Sequence, residues 1–145
     1  MHEITFQQWF AEPPARLFDR FHRHQRLGEI YPAAFRRVRD GDDDDPDGAG
    51  SIREIRSAGL VFREQVVACR VPEYIEYRIV AGAPVITHHL GQMWFRPDAG
   101  GTTLDYRMEL AFRLPGDRLW AGIMKRLVQQ RLRHLAKRIR QEESS

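Results

Sequence analysis

Apolar residues recur along this chain at two spacings. From Asp117 to Arg140, Trp120, Ile123, Met124, Leu127, Val128, Leu132, Leu135 and Ile139 return every three or four positions among Arg, Lys and Gln, the mark of an amphipathic helix. Upstream, a period of two broken by short turn sequences predicts strands over Thr5–Phe10, Phe35–Arg39, Ser51–Ser57, Val61–Arg70, Tyr74–Val80, Thr87–Arg96 and Thr103–Leu114. Glu12-Pro13-Pro14 ends the first strand and opens a helix running to about Gln25, with a second helical turn over Leu27–Tyr31 before Pro32. The order is one strand, two helices, six strands and one helix. It predicts an α+β fold in which a curved seven-stranded antiparallel sheet wraps around the long C-terminal helix. A helix held in the mouth of such a sheet encloses a cavity.

The register of the last hairpin follows from its turn. Asp98-Ala99-Gly100-Gly101 reads as a four-residue loop, and pairing Pro97 with Thr102 sets Phe95 opposite Leu104, Met93 opposite Tyr106, Gly91 opposite Met108 and His89 opposite Leu110. Leu104, Tyr106, Met108, Leu110 and Phe112 alternate with Asp105, Arg107, Glu109 and Arg113, so the apolar set faces inward together with His89, Gly91, Met93 and Phe95. Ile75, Tyr77 and Ile79 share that face, which makes Tyr77 and His89 cross-strand neighbours. Trp94 points outward, where it offers a patch for a homodimer.

Length and composition narrow the class. The 145 residues form a single domain (1–145) large enough for its own core, with an acidic loop at 40–50 expected to be mobile and a disordered tail at 141–145. One cysteine, Cys69, excludes an internal disulfide, and no apolar run resembles a signal peptide or a membrane span, so a cytoplasmic location is expected. Net charge is only +3, but it is segregated: Asp40, Asp42–Asp45 and Asp47 form one knot, and Arg and Lys crowd the last helix. The knot lacks the spaced ligands and closing Glu of a calcium loop. His88 and His89 fall on opposite faces of a strand and cannot chelate one ion, so no metal site is expected. Neither a Gly-x-Ser-x-Gly nor a P-loop motif occurs, and no cofactor is expected.

The candidate site lies between helix and sheet. Trp120, Met124 and Val128 form its lid, with Tyr106 and Met108 opposite; the same residues serve equally as core filling. Its polar anchors are Glu64, His89, Tyr77 and Arg53. Glu64 facing inward requires a partner such as Arg53, whereas facing outward it is an ordinary surface charge. His89 is the candidate for proton transfer, weighed against a hydrogen-bonded cavity residue, because imidazole titrates near neutrality and Tyr77 can orient it.

Several motifs carry a family resemblance: Gly50-Ser51-Ile52-Arg53-Glu54-Ile55, Glu64-Gln65-Val66, Val71-Pro72-Glu73, Gly91 to Pro97 and Gly100-Gly101-Thr102. Through them, and through the element order, nearly the whole chain resembles the START-like or SRPBCC superfamily, the helix-grip fold of Bet v 1 allergens, and within it the polyketide cyclase/dehydrase and lipid-transport branch. The stretch Gly50–Gly91 is also similar to plant abscisic acid receptors. That resemblance implies pocket positions at Glu64, Tyr77, Ile79, Ile86, His89 and Gly91. The receptor gate and latch are not matched, since Ala58-Gly59-Leu60-Val61 and Pro84-Val85-Ile86 stand in their places.

Three functions follow in order. The first is binding of a small hydrophobic or aromatic molecule, such as a lipid, polyketide or quinone, in the cavity. The second is aromatase/cyclase-type catalysis in the same cavity, with His89, Tyr77, Glu64 or Arg53 moving protons. The third is docking of the basic helix face, through Arg126, Arg133, Lys137 and Arg140, on an acidic partner or anionic membrane; nucleic acid is not expected, because exposed aromatics are not interleaved with these charges.

Overall fold

The computed structural model describes residues 1–113 and 115–144. Leu114, at the expected end of the last strand, and Ser145 lie outside the described residues. The elements are β1 (His2–Phe10), α1 (Pro14–His22), a short 3-10 helix (His24–Glu29), β2 (Ala34–Arg39), β3 (Ile52–Ser57), β4 (Leu60–Arg70), β5 (Tyr74–Ala81), β6 (Ile86–Asp98), β7 (Gly101–Phe112) and α2 (Asp117–Glu143). The strands form one antiparallel sheet in the order β1-β7-β6-β5-β4-β3-β2. Sheet curvature and the long α2 make this the helix-grip fold expected from the pattern.

The alternation in β7 sets the core. Leu104, Tyr106, Met108 and Leu110 are buried beside Ile4 and Phe6 of β1 and Met93 and Phe95 of β6. The β6–β7 register is the expected one, pairing Phe95 with Leu104, Met93 with Tyr106, Gly91 with Met108 and His89 with Leu110. The turn is tighter than expected: Asp98 pairs with Gly101, leaving two residues in the loop. Ala99 (φ 49°) and Gly100 (φ 79°) both take left-handed conformations, the geometry whose twist suits a two-residue hairpin.

One end of the barrel-like trough is plugged. Pro14 starts α1 within its first turn, where a missing N–H costs nothing, and Leu17, Phe18 and Phe21 are fully buried. Phe95 packs edge-on against Phe18 at 5.1 Å and near Phe21 at 5.7 Å. Above them lies the second half of α2, with Val128, Leu132, Leu135, Ala136 and Ile139 buried. The helix continues to Glu143, three residues into the expected disordered tail. An ion pair accounts for the extension: Arg20 Nη2 reaches Glu142 Oε2 at 3.1 Å while holding buried Glu12 through Nε at 2.6 Å.

The first half of α2 is different. Leu119, Trp120, Ile123 and Leu127 are exposed, Trp120 at 45 %, and the helix begins at Gly116 without a side-chain cap. Its apolar stripe therefore extends beyond the surface that covers it. The acidic loop is tied to its surroundings, with Asp42 on Arg39 at 3.0 Å, Asp45 on His22 at 2.6 Å and Asp47 on Arg37 at 2.9 Å.

Candidate functional site

Five neighbouring strands each deliver one polar or aromatic side chain to the concave face. Arg53 on β3 and Glu64 on β4 are direct cross-strand partners, so the inward position of one fixes that of the other. Both are buried; Arg53 Nε donates to Glu64 Oε1 at 3.0 Å, and Nη2 lies 2.9 Å from the same oxygen as an ion pair. Glu64 thus faces inward and has Arg53 as its partner, which resolves the two readings of its sequence position. A buried carboxylate is tolerable here because the guanidinium neutralises it.

Tyr77 on β5 stacks beneath that pair. The Arg53 guanidinium carbon sits 5.0 Å from its ring centre, a cation–π distance. Its Cα partner is Gly91, and a Cβ built there would lie 2.4 Å from Tyr77 Cζ. Glycine at this position leaves the room that lets Tyr77 lie flat against the sheet. The Tyr77 hydroxyl is hydrogen-bonded to that of Tyr106 on β7, and Phe6 meets the Tyr106 ring edge-on at 5.5 Å. Burial, reinforced by the Glu64 charge, raises the Tyr77 phenol well above its ordinary range and keeps it protonated.

His89 on β6 completes the row, with its ring 5.4 Å from that of Tyr77. Burial lowers its pKa; Arg53 and His88 act in the same direction, while Glu64 opposes them. The imidazole is therefore neutral at pH 7. Its Nδ1 is buried and has no hydrogen-bond partner among the described residues. His88 points the other way, 3.7 Å from Glu109, as strand alternation requires.

The remaining expected positions fall around this row. Tyr106, Met108, Gly91 and Val128 are buried, whereas Ile79, Ile86 and Met124 are half-buried, Met124 packing on the core. Trp120 departs from the expected lid geometry: it lies on the solvent side of the first turns of α2 and is 45 % exposed, whereas its neighbour Ala121 is buried. One participant was missed. Tyr31, in the connection after the 3-10 helix, has a phenol pushed up by burial and by the neighbouring Glu64 charge. Only the aromatic before Pro32 hinted at it, since no periodicity extends through that connection.

A second polar group lies on the α1 side. His24 is buried, with Ser51 Oγ at 3.3 Å from Nε2 and Asp47 at 3.7 Å from Nδ1. Burial, with the Arg53 charge adding to it, lowers its pKa to about 4. Next to it, His22, Asp45 and Cys69 bring three metal-ligating atoms within 4.8 Å of one another. Burial, with Asp45 nearby, pushes the Cys69 thiol up to about 11. The outer face carries two depressions around Trp94, of about 600 Å³ (Ala49, Ala68, Cys69, Arg70, Tyr74, Trp94) and about 490 Å³.

Comparison with known proteins agrees with this architecture. Among solved structures, XoxI from Bacillus cereus superposes with a TM-score of 0.78 at 12% identity over 99% of each chain. The Aha1 dimer from Colwellia psychrerythraea gives 0.74 at 11% identity over 96% of each. The crystal structure of Ara h 8.0201 gives 0.68 at 13%, covering 93% of this chain and 97% of that one. At such identities these likenesses concern the fold. No helix among the described residues is long and apolar enough to cross a membrane. None of the curated proteins matches the chain in sequence. The sequence profile for polyketide cyclase/dehydrase and lipid transport proteins matches residues 1–140, and with the helix-grip architecture around its polar row the chain belongs to that family.

Proposed function

We propose that the chain binds a small hydrophobic or aromatic molecule between the concave sheet and α2. The observation that carries this reading is the buried His89 Nδ1, a polar atom with no partner among the described residues, on a ring 5.4 Å from that of Tyr77 in an interior that the Arg53–Glu64 pair and Tyr106 share with Met108 and Leu110. An unpaired buried polar atom costs about 1–3 kcal/mol, and a guest carrying a hydroxyl or carbonyl relieves that cost. Arg53, paired with Glu64 at one oxygen, offers a charged donor set beside it. Such a mostly apolar lining with a few convergent polar groups is how small-molecule sites are built. The exposed, uncapped start of α2, with Trp120, Ile123 and Leu127, supplies an apolar edge that can close on the guest.

Native mass spectrometry of freshly purified protein, followed by organic extraction, tests the reading. A stoichiometric apolar molecule, or one taken up from a panel of fatty acids, quinones and polyphenols, is the expected result. Protein that carries nothing and takes up none of the panel counts against it.

One observation favours a second reading, catalysis of the cyclase type. A neutral imidazole with a free nitrogen, beside a protonated phenol, is a base and acid pair able to move a proton on a folded polyketide. Turnover of such a substrate that disappears in His89→Ala, with folding and binding retained, supports catalysis; turnover unchanged in that variant sinks it. A homodimer is a separate proposal. It rests on Trp94, 37 % exposed on the outer face, and sedimentation of the wild type against Trp94→Glu tests it.

A further inference from the structure

Three segments that are distant in sequence converge on the α1 side of the sheet, away from the polar row described above. His22 closes α1, Asp45 lies in the loop between β2 and β3, and Cys69 lies near the end of β4. Cys69 Sγ is 3.6 Å from His22 Nδ1, and Asp45 Oδ2 is 2.6 Å from His22 Nε2. The imidazole is mostly enclosed, with 11 % of its side chain exposed, and it is held against Phe18 with ring centres 5.1 Å apart. Asp45 is 39 % exposed, and its other carboxylate oxygen accepts from the Asp47 backbone N–H at 3.1 Å. Cys69 borders the depression of about 600 Å³ that Arg70, Tyr74 and Trp94 also line.

We propose that His22, Asp45 and Cys69 form a binding site for zinc. Sulfur and nitrogen donors on a tetrahedral zinc ion, at about 2.3 and 2.0–2.1 Å from the metal, stand about 3.5 Å apart. The Cys69–His22 separation already has that value. Asp45 brings a carboxylate oxygen into the set by rotating off the far side of the imidazole, since one donor atom from each residue lies within 4.8 Å of the others. The donor chemistry selects the metal. A thiolate favours zinc over calcium or magnesium, which take oxygen ligands, and one imidazole with one carboxylate completes a mixed set common for zinc.

Charge also balances. Binding displaces the thiol proton to solvent, so the thiolate and carboxylate together offset the two positive charges of the ion. Three protein donors leave one tetrahedral position for water or a small exogenous ligand. The ion ties the acidic loop to α1 and β4. It therefore stabilises the folded chain by an amount that rises with the logarithm of free zinc above its Kd.

The test uses untagged, chelator-treated full-length protein with Zn²⁺ or Co²⁺ alone. The expected results are uptake of one Zn²⁺ per chain by calorimetry, a rise in thermal midpoint with Zn²⁺, and a thiolate-to-cobalt charge-transfer absorption in the near ultraviolet. Cys69→Ser is expected to abolish that absorption. Asp45→Asn, a change on an exposed loop, is expected to weaken Zn²⁺ binding more than about tenfold, while the outer-face control His88→Ala leaves it unchanged. Should Cys69→Ser fail to fold, the wild-type cobalt spectrum and Asp45→Asn decide. Absence of Zn²⁺ uptake, Co²⁺ bound without the charge-transfer absorption, or Zn²⁺ affinity unchanged in Asp45→Asn each overturns the proposal.

Discussion

Removing the Glu64 carboxylate tests the interior most sharply. Glu64 accepts a charge-assisted hydrogen bond from Arg53 Nε and pairs with Nη2 at 2.9 Å, and the Arg53 side chain is 4 % exposed with its guanidinium stacked 5.0 Å over Tyr77. Glu64→Ala leaves the positive charge buried among apolar groups, a loss of about 3–5 kcal/mol. Against a typical total of about 5–15 kcal/mol this is a large part of the stability of a domain this size. At about 2–4 °C per kcal/mol the thermal midpoint falls by about 6–20 °C. Glu64→Gln keeps the shape and one acceptor oxygen, so its cost is smaller, about 1.5–3 kcal/mol. The double variant Arg53→Met/Glu64→Leu removes both charges and returns to within about 1 kcal/mol of the wild type. Urea unfolding at pH 7 measures all three. A Glu64→Ala loss below about 1 kcal/mol means that the pair is solvated and refutes its role as an interior anchor. A double variant as unstable as Glu64→Ala assigns the loss to packing instead of charge.

Three other perturbations follow from the same geometry. His24 titrates near 6.5 when unfolded and about 4 when folded, so its contribution is complete above pH 6.5 and is lost as pH falls toward 4, on the order of 3 kcal/mol in all. Urea midpoints from pH 8 to 4 therefore fall less steeply in His24→Gln than in the wild type; parallel profiles refute the assignment. Gly91→Ala places a methyl group on the Tyr77 ring and costs about 1–3 kcal/mol by overpacking, and a thermal midpoint unchanged from the wild type contradicts the stacked arrangement. Trp120→Ala changes stability by less than about 0.5 kcal/mol because the side chain is exposed, yet weakens binding of an apolar guest; equal affinity in calorimetry removes Trp120 from the site.

What was legible in the sequence was whatever alternation encodes. The β6–β7 register came from one turn and one strand, and it placed Tyr77, His89, Tyr106 and Met108 on one face. Features set by distant segments were not legible. Trp120 and Ile123 belong to the helical stripe, but periodicity does not say how far the sheet reaches under a helix, and they emerge exposed. Glu54 alternates outward from Arg53 and is nonetheless buried, because Arg36, Arg56 and Arg63 close over it at 3.1, 3.2 and 3.4 Å. Tyr31 and the convergence of His22, Asp45 and Cys69 depend on where loops fold back, which no local pattern records.

The central claim is that a guest sits between the concave sheet and α2. Its most direct measurement is an NMR titration that follows the His89 ring and the methionine methyl groups while palmitate, or an anthraquinone, is added. The account predicts saturable shifts at His89, Met108 and Met124, with Trp94 and Tyr74 on the outer face unmoved. Shifts confined to Trp94 and Tyr74, with His89 and Met108 unchanged, would contradict it.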